Sequence, residues 1–211
     1  MSDYTPDAAT AREDLCRFLS ACYYEPGVEF AEERLFDSLL IAATVLHPDL
    51  AEPARRLGAA FAAEDLQTLL VDYTRLFLGP LEARAKPYES SWLTPAANQE
   101  DNPPPAVLER YAEGGMEIDA EFMELPDHIA VELEFLYLLN FNAHQASLGG
   151  DGEVATTIAS LKQRFLDEHL GAWVAPFAVA VSTHAQTAFY RELAALTERF
   201  VRMEQGVAAP H

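Results

Sequence analysis

Three side chains in the middle of the chain have types and spacing that could bind a metal ion. They are Glu124, His128 and Glu132, which follow one another at intervals of four residues. Imidazole nitrogens and carboxylate oxygens are common ligands of zinc and iron. One interpretation is therefore a metal-dependent hydrolase that uses these three residues. Pro126 argues against it, because it places Glu124 before the predicted helix, where its carboxylate need not converge with the other two side chains.

A second interpretation of the same spacing is structural. Residues four apart on a helix lie on one face, so His128 and Glu132 are predicted to pair and to steady the helix that carries them. That helix is apolar on nearly all sides over residues 129–141, which is typical of a buried helix. A buried carboxylate costs free energy unless it is paired. We therefore expect Glu132 to have a partner or a ligand.

Other catalytic patterns do not occur in the sequence. Ser90 and Ser91 lie outside any Gly-x-Ser-x-Gly elbow. The glycines at 149–152 follow a predicted helix and lack the Lys-Ser/Thr ending of a phosphate loop. Cys16 and Cys22 form no CxxC pair, so neither a disulfide nor a cysteine metal site is expected. We predict a protein with no catalytic residue, no metal and no cofactor.

Composition limits the partners that the chain can have. Its 211 residues are 50% hydrophobic, which is enough for one large domain, and its net charge is −20. Such a chain repels nucleic acid and anionic membranes and attracts a basic partner. Simple solubility, or adaptation to a saline cytoplasm, explains the charge equally well. No signal peptide and no apolar segment of the ~20 residues needed to span a bilayer is found, so a cytoplasmic location is predicted.

Helical periodicity of apolar residues accounts for most of the chain, and no strand-like alternation of useful length occurs. The predicted fold class is all-α, a single globular domain of about eight or nine helices. Proline at a first helical position and an acid in the first turn are both favourable, and glycine followed by proline ends a helix. On these grounds helices are predicted from Phe30 to His47, through Tyr73 and Phe77 to Gly79-Pro80, from Pro126 with Asp127 in its first turn, and from Glu153 to a stop at Gly171.

A long segment with little helical pattern divides the chain. It covers residues 81–105 and contains Pro87, Pro95 and three consecutive prolines at its end. Loops of this length are usually functional or act as linkers. We predict an N-terminal helical part at 1–80, a loop or hinge at 81–105 and a C-terminal helical part at 106–211, within one compact domain. Because such halves can exchange between chains, both a monomer and a domain-swapped dimer are possible.

Three stretches, in this order and spacing, resemble the TorD/DmsD family of maturation chaperones for molybdenum-cofactor oxidoreductases, which is related to NarJ. They are Asp72-Tyr73-Thr74-Arg75-Leu76-Phe77-Leu78-Gly79-Pro80, then Pro87-Tyr88-Glu89-Ser90-Ser91-Trp92, then Glu124-Leu125-Pro126-Asp127-His128 running into residues 129–136. The stretch from Phe165 to Trp173 is also similar to the family pattern. The resemblance covers about residues 10–200.

The resemblance implies a cytoplasmic, all-helical chaperone without catalytic activity. Its partner would be the catalytic subunit of a molybdopterin-dependent oxidoreductase, whose N-terminal twin-arginine leader it would bind before export. The implied leader-binding residues are Tyr73, Leu76, Phe77, Gly79, Pro80, Tyr88, Glu89, Ser90, Trp92, Asp127, His128 and Glu132. No nucleic acid and no stable membrane insertion is expected.

The residue types fit that partner. Tyr73, Phe77 and Trp92 would supply apolar and stacking surface for the leader, while the carboxylates of Glu89, Asp127 and Glu132 would bind its guanidinium groups. A NarJ-like chaperone, which recognises an N-terminus without twin arginines, is the alternative.

Overall fold

The computed structural model describes residues 6–79, 83–93, 106–118 and 124–206, and the expected all-α fold is confirmed in them. These residues contain no extended strand, only an isolated antiparallel bridge between Tyr88 and His128. The helices are α1 (Ala8–Cys22), α2 (Glu29–Glu32), α3 (Leu35–Leu46), α4 (Pro48–Ala63), α5 (Leu66–Tyr73), α6 (Ser90–Leu93), α7 (Val107–Glu113), α8 (Ile129–Leu148), α9 (Gly152–Glu168), α10 (Leu170–His184) and α11 (Ala188–Glu204).

Helix α8 lies at the centre of the packing, as its apolar sequence predicts. It packs against α1, α9 and α10, while α11 packs against α4 and α10. Large side chains such as Phe135 and Trp173 are completely buried, and burial of each contributes roughly 1.5–3 kcal/mol. Helices on both sides of the segment 81–105 thus share one core. The hinge role of that segment stays a prediction, and residues 81–82 and 94–105 lie outside the described part.

The predicted helix from Phe30 to His47 is divided. Helices α2 and α3 are separated by a turn in which Arg34 adopts left-handed backbone angles, with φ +53°. The Arg34 guanidinium then donates to Asp37 in the first turn of α3. The short helix α6 also lies in a segment that was predicted to be non-helical. Short helices of this kind are the reason that the observed helices are more numerous than predicted.

Helix α5 changes geometry within the stretch from Asp72 to Pro80, the first of the three that carry the family resemblance. Residues Thr74–Leu78 continue it as a π-helix, and the Gly79 N–H closes that turn by donating to the Thr74 carbonyl at 2.7 Å. Gly79 has φ +36°, which glycine adopts without the steric cost that a side chain brings. The prediction that Gly79 ends this helix is confirmed, and π-helical turns are often found at functional sites.

The prediction that Gly171 stops a helix is wrong. The break comes at His169, and Gly171 lies inside the first turn of α10. A Cβ atom at this position would collide with the Leu166 carbonyl oxygen and with the Gln205 side chain. Glycine is thus required here by the close approach of α9 and α11 to the start of α10.

One of the two lysines of the chain is committed to holding helices together. Lys162 on α9 donates to Asn140 on α8 at 3.0 Å and to Glu204 on α11 at 2.8 Å. Arg12 on α1 donates to the same Glu204 at 2.7 Å. Among the described helices, none is both long and apolar enough to cross a membrane.

Candidate functional site

Residues 85–90 lie between the π-helix and the start of α8 and are joined to both by main-chain hydrogen bonds. The Ala85 N–H donates to the Leu76 carbonyl at 2.9 Å. Further along, the Ile129 N–H donates to the Pro87 carbonyl at 2.8 Å, and the Glu89 N–H donates to the Asp127 carbonyl at 2.9 Å. The three stretches that carry the family resemblance therefore lie side by side, although more than thirty residues separate the second from the third.

This pairing changes the start of α8. Pro126 was predicted at the first helical position, but it lies in a turn with Asp127, and the helix begins at Ile129. His128 is the N-cap: it has extended backbone angles (φ −72°, ψ 140°), and its Nδ1 accepts from the Ala130 N–H at 3.1 Å. The main-chain bonds to residues 87 and 89 hold Asp127 and His128 out of the helix, which is the reason for the later start.

Asp127 acts on the neighbouring segment rather than on the helix dipole. The residue is 2% exposed, and its Oδ2 accepts from the Ser90 N–H at 3.0 Å. Ser90 is the first residue of α6, so Asp127 satisfies an N–H that has no partner within that short helix. The carboxylate thereby fixes the segment that presents Tyr88 and Trp92.

The predicted pairing of His128 with Glu132 does not form among the described contacts. Glu132 is completely buried, and its carboxyl accepts from the Trp173 indole N–H at 3.2 Å. Burial, followed by the nearby Glu89 carboxyl, raises the pKa of Glu132 well above its usual value. Glu89 in turn bonds the His169 ring Nδ1 at 2.9 Å. The expected partner of Glu132 is thus a residue of α10.

The His128 ring is held between two tyrosines. It stacks on Tyr24 with 6.0 Å between ring centroids and meets Tyr88 edge-on at 5.3 Å. Burial lowers the pKa of His128 to about 4, although Glu124 and Asp127 act in the opposite direction. The ring is therefore neutral near pH 7, consistent with Nδ1 accepting a hydrogen bond.

Around this histidine lies a group of phenols and carboxylates, here termed the tyrosine–glutamate cluster: Tyr24, Tyr73, Tyr88, Glu124 and Glu134. The Tyr88 hydroxyl donates to Glu124 Oε1 at 2.9 Å, and the Tyr24 hydroxyl donates to Glu134 Oε1 at 3.0 Å. Burial, and then the charges of Glu124 and Glu25, raise the pKa of Tyr73 to about 12. Burial also raises the pKa values of Tyr24 and Tyr88, and the charge of Glu124 acts in the same direction on all three phenols.

The residues predicted for leader binding divide into buried and accessible sets. Buried are Tyr73, Leu76, Phe77, Glu89, Asp127, His128 and Glu132. Gly79, Tyr88 and Trp92 are half-buried, Ser90 is exposed, and Pro80 lies outside the described residues. The Trp92 indole N–H donates to the Lys86 carbonyl at 2.9 Å, and its ring packs against Phe177. The described residues contain no cluster of His, Cys, Asp and Glu suited to a metal ion.

Sequence reasoning missed Tyr24, Glu25 and Glu134. Tyr24 and Glu25 follow α1 in the turn before Pro26-Gly27, and Glu134 lies within the third resembling stretch. Of the neighbouring tyrosines, Tyr23 is buried in the core and only Tyr24 is half-buried beside the exposed Glu25, so the local sequence contains no clear signal. The proximity of Tyr24 to His128 depends on how α1 packs against α8, which the sequence does not reveal locally.

Comparison with known proteins agrees with the resemblance. A family model described as "Nitrate reductase delta subunit" matches residues 44–179. The chain belongs to this family. It is 29% identical to "Chaperone protein TorD" of Shewanella loihica, over 96% of this chain and 94% of the relative. It is 30% identical to "Perchlorate reductase assembly chaperone protein" of Dechloromonas aromatica, over 92% of this chain and 88% of the relative.

In this member of the nitrate reductase delta subunit family, the first resembling stretch also has a structural role. Asp72 is 1% exposed and accepts from the Thr187 hydroxyl and main-chain N–H, both at 2.8 Å, and from the Gln186 N–H at 2.9 Å. Arg75 donates to the same carboxylate at 2.7 Å and to the His184 carbonyl. These bonds fix the π-helix against the junction of α10 and α11.

Proposed function

We propose that this chain is a system-specific chaperone for the catalytic subunit of a molybdenum-cofactor oxidoreductase. In this role it binds the subunit's N-terminal leader in the cytoplasm and delays export until the cofactor is inserted. The names of its relatives support the general class, since they are called chaperones and one is called an assembly chaperone for a reductase. The role is one of binding, and no catalytic step is assigned to any residue.

One observation carries the assignment of the site. Residues 85–90 bring Tyr88 next to the start of α8, where its half-buried ring adjoins the half-buried Glu124 carboxylate, while the half-buried Trp92 in α6 packs against Phe177 of α10. A twin-arginine leader combines guanidinium groups with an apolar run, so it requires such a mixed surface. Rings of Tyr and Trp provide apolar area and stack on guanidinium groups, and carboxylates add charge-assisted hydrogen bonds. The net charge of −20 would accelerate encounter with a basic leader at low salt.

The buried residues of the predicted site have a positioning role in this proposal. Asp127 holds the Ser90 N–H and His128 lies between Tyr24 and Tyr88, so both determine where the accessible side chains stand. Leu76 and Phe77 are buried in the core, where Phe77 packs against Phe177, the residue that also contacts the Trp92 ring.

The test is a titration of the full chain with a fluorescently labelled leader peptide from a molybdopterin subunit encoded next to it. We expect saturable binding that weakens at least tenfold in Tyr88→Ala and Trp92→Ala. Val179→Ala, which changes an exposed apolar residue of α10, should bind as the wild type does. Absence of binding to the wild-type chain would refute leader recognition.

A second peptide distinguishes the proposed twin-arginine recognition from the NarJ-like alternative. Replacing the arginine pair of the leader with alanine should weaken binding strongly if the chain recognises twin arginines. Unchanged affinity would favour recognition of an N-terminus without them.

A further inference from the structure

Three carboxyl groups are buried near one another where the segment at 85–93 meets α8. Glu89, Asp127 and Glu132 are 8%, 2% and 0% exposed. A buried charge costs free energy unless a counter-charge and hydrogen bonds compensate it. Among the ion pairs of the described residues, these acids take part in a single one, in which Glu89 lies 2.9 Å from the His169 ring Nδ1. Because one imidazole cannot neutralise three carboxylates, we expect one of the acids to carry a proton.

Glu132 is the acid whose surroundings least favour a negative charge. Among the described residues its carboxyl accepts from one donor, the neutral indole N–H of Trp173, which lies 3.2 Å from each oxygen. It also forms a side-chain hydrogen bond with Glu89. Two carboxyl groups share such a bond when one of them is protonated and donates its O–H. This geometry assigns the proton to Glu132, so that Glu89 accepts from Glu132 and from His169.

The other ionisable groups around this pair do not supply a positive charge. Element by element, they are Asp127 and His128 at the start of α8, Glu134 within it, Tyr111 of α7 and Tyr24 after α1. Burial lowers the pKa of His128 to about 4, so its ring is neutral near pH 7. Burial, and then the charges of Glu132 and Glu89, raise the pKa of Tyr111 well above its usual value. The lysine of α9 that reaches α8, Lys162, bonds Asn140, about two turns beyond Glu132.

Glu89 is the residue through which this proton can hold the segment. Its side chain joins Glu132 and His169, its main-chain N–H donates to the Asp127 carbonyl at 2.9 Å, and its own carbonyl accepts from the Trp92 N–H at 2.9 Å. Glu132 is fixed in the first turn of α8, whereas Glu89 lies just before the four-residue helix α6. If the proton were lost, two adjacent carboxylates would repel each other. Glu89, with the segment that carries it, is the partner free to move toward water.

We propose that a proton shared between Glu89 and Glu132 fastens the segment at 85–93 to the starts of α8 and α10, and that loss of this proton to water releases the segment as the pH rises. The closed segment retains the proton because the pair is buried. The open segment gives it up because Glu89 separates from Glu132 and water enters. Opening therefore increases by up to about tenfold per pH unit over the range in which the closed pair alone holds the proton.

The first test is hydrogen exchange of the full chain at pH 6, 7 and 8.5, followed by mass spectrometry of peptides that cover 85–93 and, as an internal reference, α11. Rates are corrected for the intrinsic effect of pH on exchange. We expect protection of 85–93 relative to α11 to fall at least tenfold from pH 6 to 8.5 in the wild type, and less than twofold in Glu132→Gln. The glutamine amide donates to Glu89, accepts from Trp173 and cannot ionise. Glu153→Gln, which changes an exposed acid at the start of α9, should follow the wild type.

The second test detects the proton itself by infrared spectroscopy. The spectrum of the wild type should lose a protonated-carboxyl C=O band between pH 6 and 8.5. Subtracting the same difference for Glu132→Gln cancels the exposed carboxyls and should leave this band. Subtracting the difference for Glu153→Gln should leave none.

Three results would overturn the inference. They are constant relative protection of 85–93 in the wild type, an equal loss of protection in Glu132→Gln, and absence of the infrared band from the wild-type difference. The wild-type measurements need no variant, so they decide the question even if Glu132→Gln does not fold. No leader peptide is present in either test, so their failure is distinct from failure of the proposed function.

Discussion

Tyr88 and His128 form an isolated antiparallel bridge, and the main-chain bonds of their neighbours continue it on both sides. The bridge joins a loop to the N-cap of α8, whose first eight residues are all buried except Glu134. We therefore expect a change in the loop to be transmitted to the start of α8, and a change in the cap of α8 to displace the rings of the loop. The first predictions concern this coupling.

Replacing Asp127 with alanine should loosen the segment that carries Tyr88 and Trp92. The Ser90 N–H loses its acceptor, and we expect the free energy of unfolding to fall by about 1–3 kcal/mol. Hydrogen exchange of the amides at 88–92 should accelerate more than that of the amides in α11. Asp127→Asn, which keeps one acceptor oxygen, should lie between the wild type and alanine. Equal exchange in all three proteins would contradict the positioning role of Asp127.

His128 should make the protein less stable in mild acid. Its folded-state pKa, about 4, lies below the ordinary value of 6.5, so the unfolded chain takes up a proton first as the pH falls. Stability contributed by the neutral ring is present above pH 6.5 and is lost between 6.5 and about 4, by up to about 3 kcal/mol. The variant His128→Asn keeps a capping acceptor at this position and cannot titrate.

The measurement is the free energy of unfolding in urea at pH 7, 5.5 and 4.5. The difference between wild type and His128→Asn should shift in favour of the variant as the pH falls. His184→Asn, which changes an exposed histidine, is the control and should follow the wild type. A constant difference for His128→Asn across this range would be inconsistent with a neutral buried ring.

Glu132 should have the opposite effect on the pH dependence of stability: its contribution to the free energy of unfolding falls as the pH rises. Burial and the nearby Glu89 raise its folded-state pKa above the ordinary 4.5, so the folded protein holds a proton that the unfolded chain has released. Stability from the protonated carboxyl is present below pH 4.5 and declines as the pH rises toward the folded pKa, at about 1.4 kcal/mol per pH unit at most. Glu132→Gln imitates the protonated form, so its advantage over the wild type should grow from pH 4.5 to 8.

The two opposing slopes have a practical consequence. Between pH 4.5 and 6.5 the stability contributions of His128 and Glu132 change in opposite directions and partly cancel in the wild type. The single variants are therefore needed to measure each contribution. If Glu132→Gln and the wild type show parallel stability curves over the whole range, the raised pKa of Glu132 is excluded.

The sequence predicts the helical elements better than it predicts the ends that matter for the site. Gly79 closes its helix as expected, because glycine followed by proline is a local sequence signal for the end of a helix. The start of α8 was predicted too early, since the bonds from Pro87 and Glu89 that hold residues 127 and 128 outside the helix come from a distant segment. Local rules for Pro126 and Asp127 cannot include them.

Gly171 was predicted to stop a helix, but the structure requires glycine there because other helices approach closely. Substitution of Gly171 tests this packing constraint. Gly171→Ala places a Cβ against the Leu166 carbonyl oxygen, which is main chain and cannot rotate away, so we expect a loss of more than about 2 kcal/mol. Gly152→Ala meets nothing within 4 Å and should be neutral or stabilising by up to about 1 kcal/mol. Thermal unfolding of the two variants provides the comparison, and similar melting temperatures would refute the packing argument.

Asp72 should be among the most sensitive carboxylates in the chain. Asp72→Ala leaves the Gln186 and Thr187 N–H groups and the Arg75 guanidinium without their shared acceptor, and we expect a loss of about 3 kcal/mol or more. The control lies on the same helix: Asp65→Ala removes the exposed N-cap bond to the Thr68 N–H and should cost about 1 kcal/mol. Equal losses in urea unfolding would show that the α10–α11 junction does not depend on Asp72.

The leader-binding role of the candidate site stays a prediction, and the structure shows only how its residues are arranged. Aromatic and acidic residues do meet beside His128, as the three resembling stretches indicate. Which acids face outward could not be predicted, because Glu132 finds Trp173 and Glu89 finds His169 across 41 and 80 positions of sequence. Spacing along one helix places Glu132 and His128 on a common face, yet partners from α10 and its preceding turn decide the direction of each side chain.

The scarcity of lysine offers a practical route to observing the site. Of the two lysines, Lys162 is engaged by Asn140 and Glu204, whereas Lys86 is exposed and its carbonyl receives the indole N–H of Trp92. Of the two lysines, amine-reactive dyes or cross-linkers should therefore label Lys86 preferentially, within a few residues of Tyr88. A fluorophore attached there would report occupancy of the surface without any engineered cysteine.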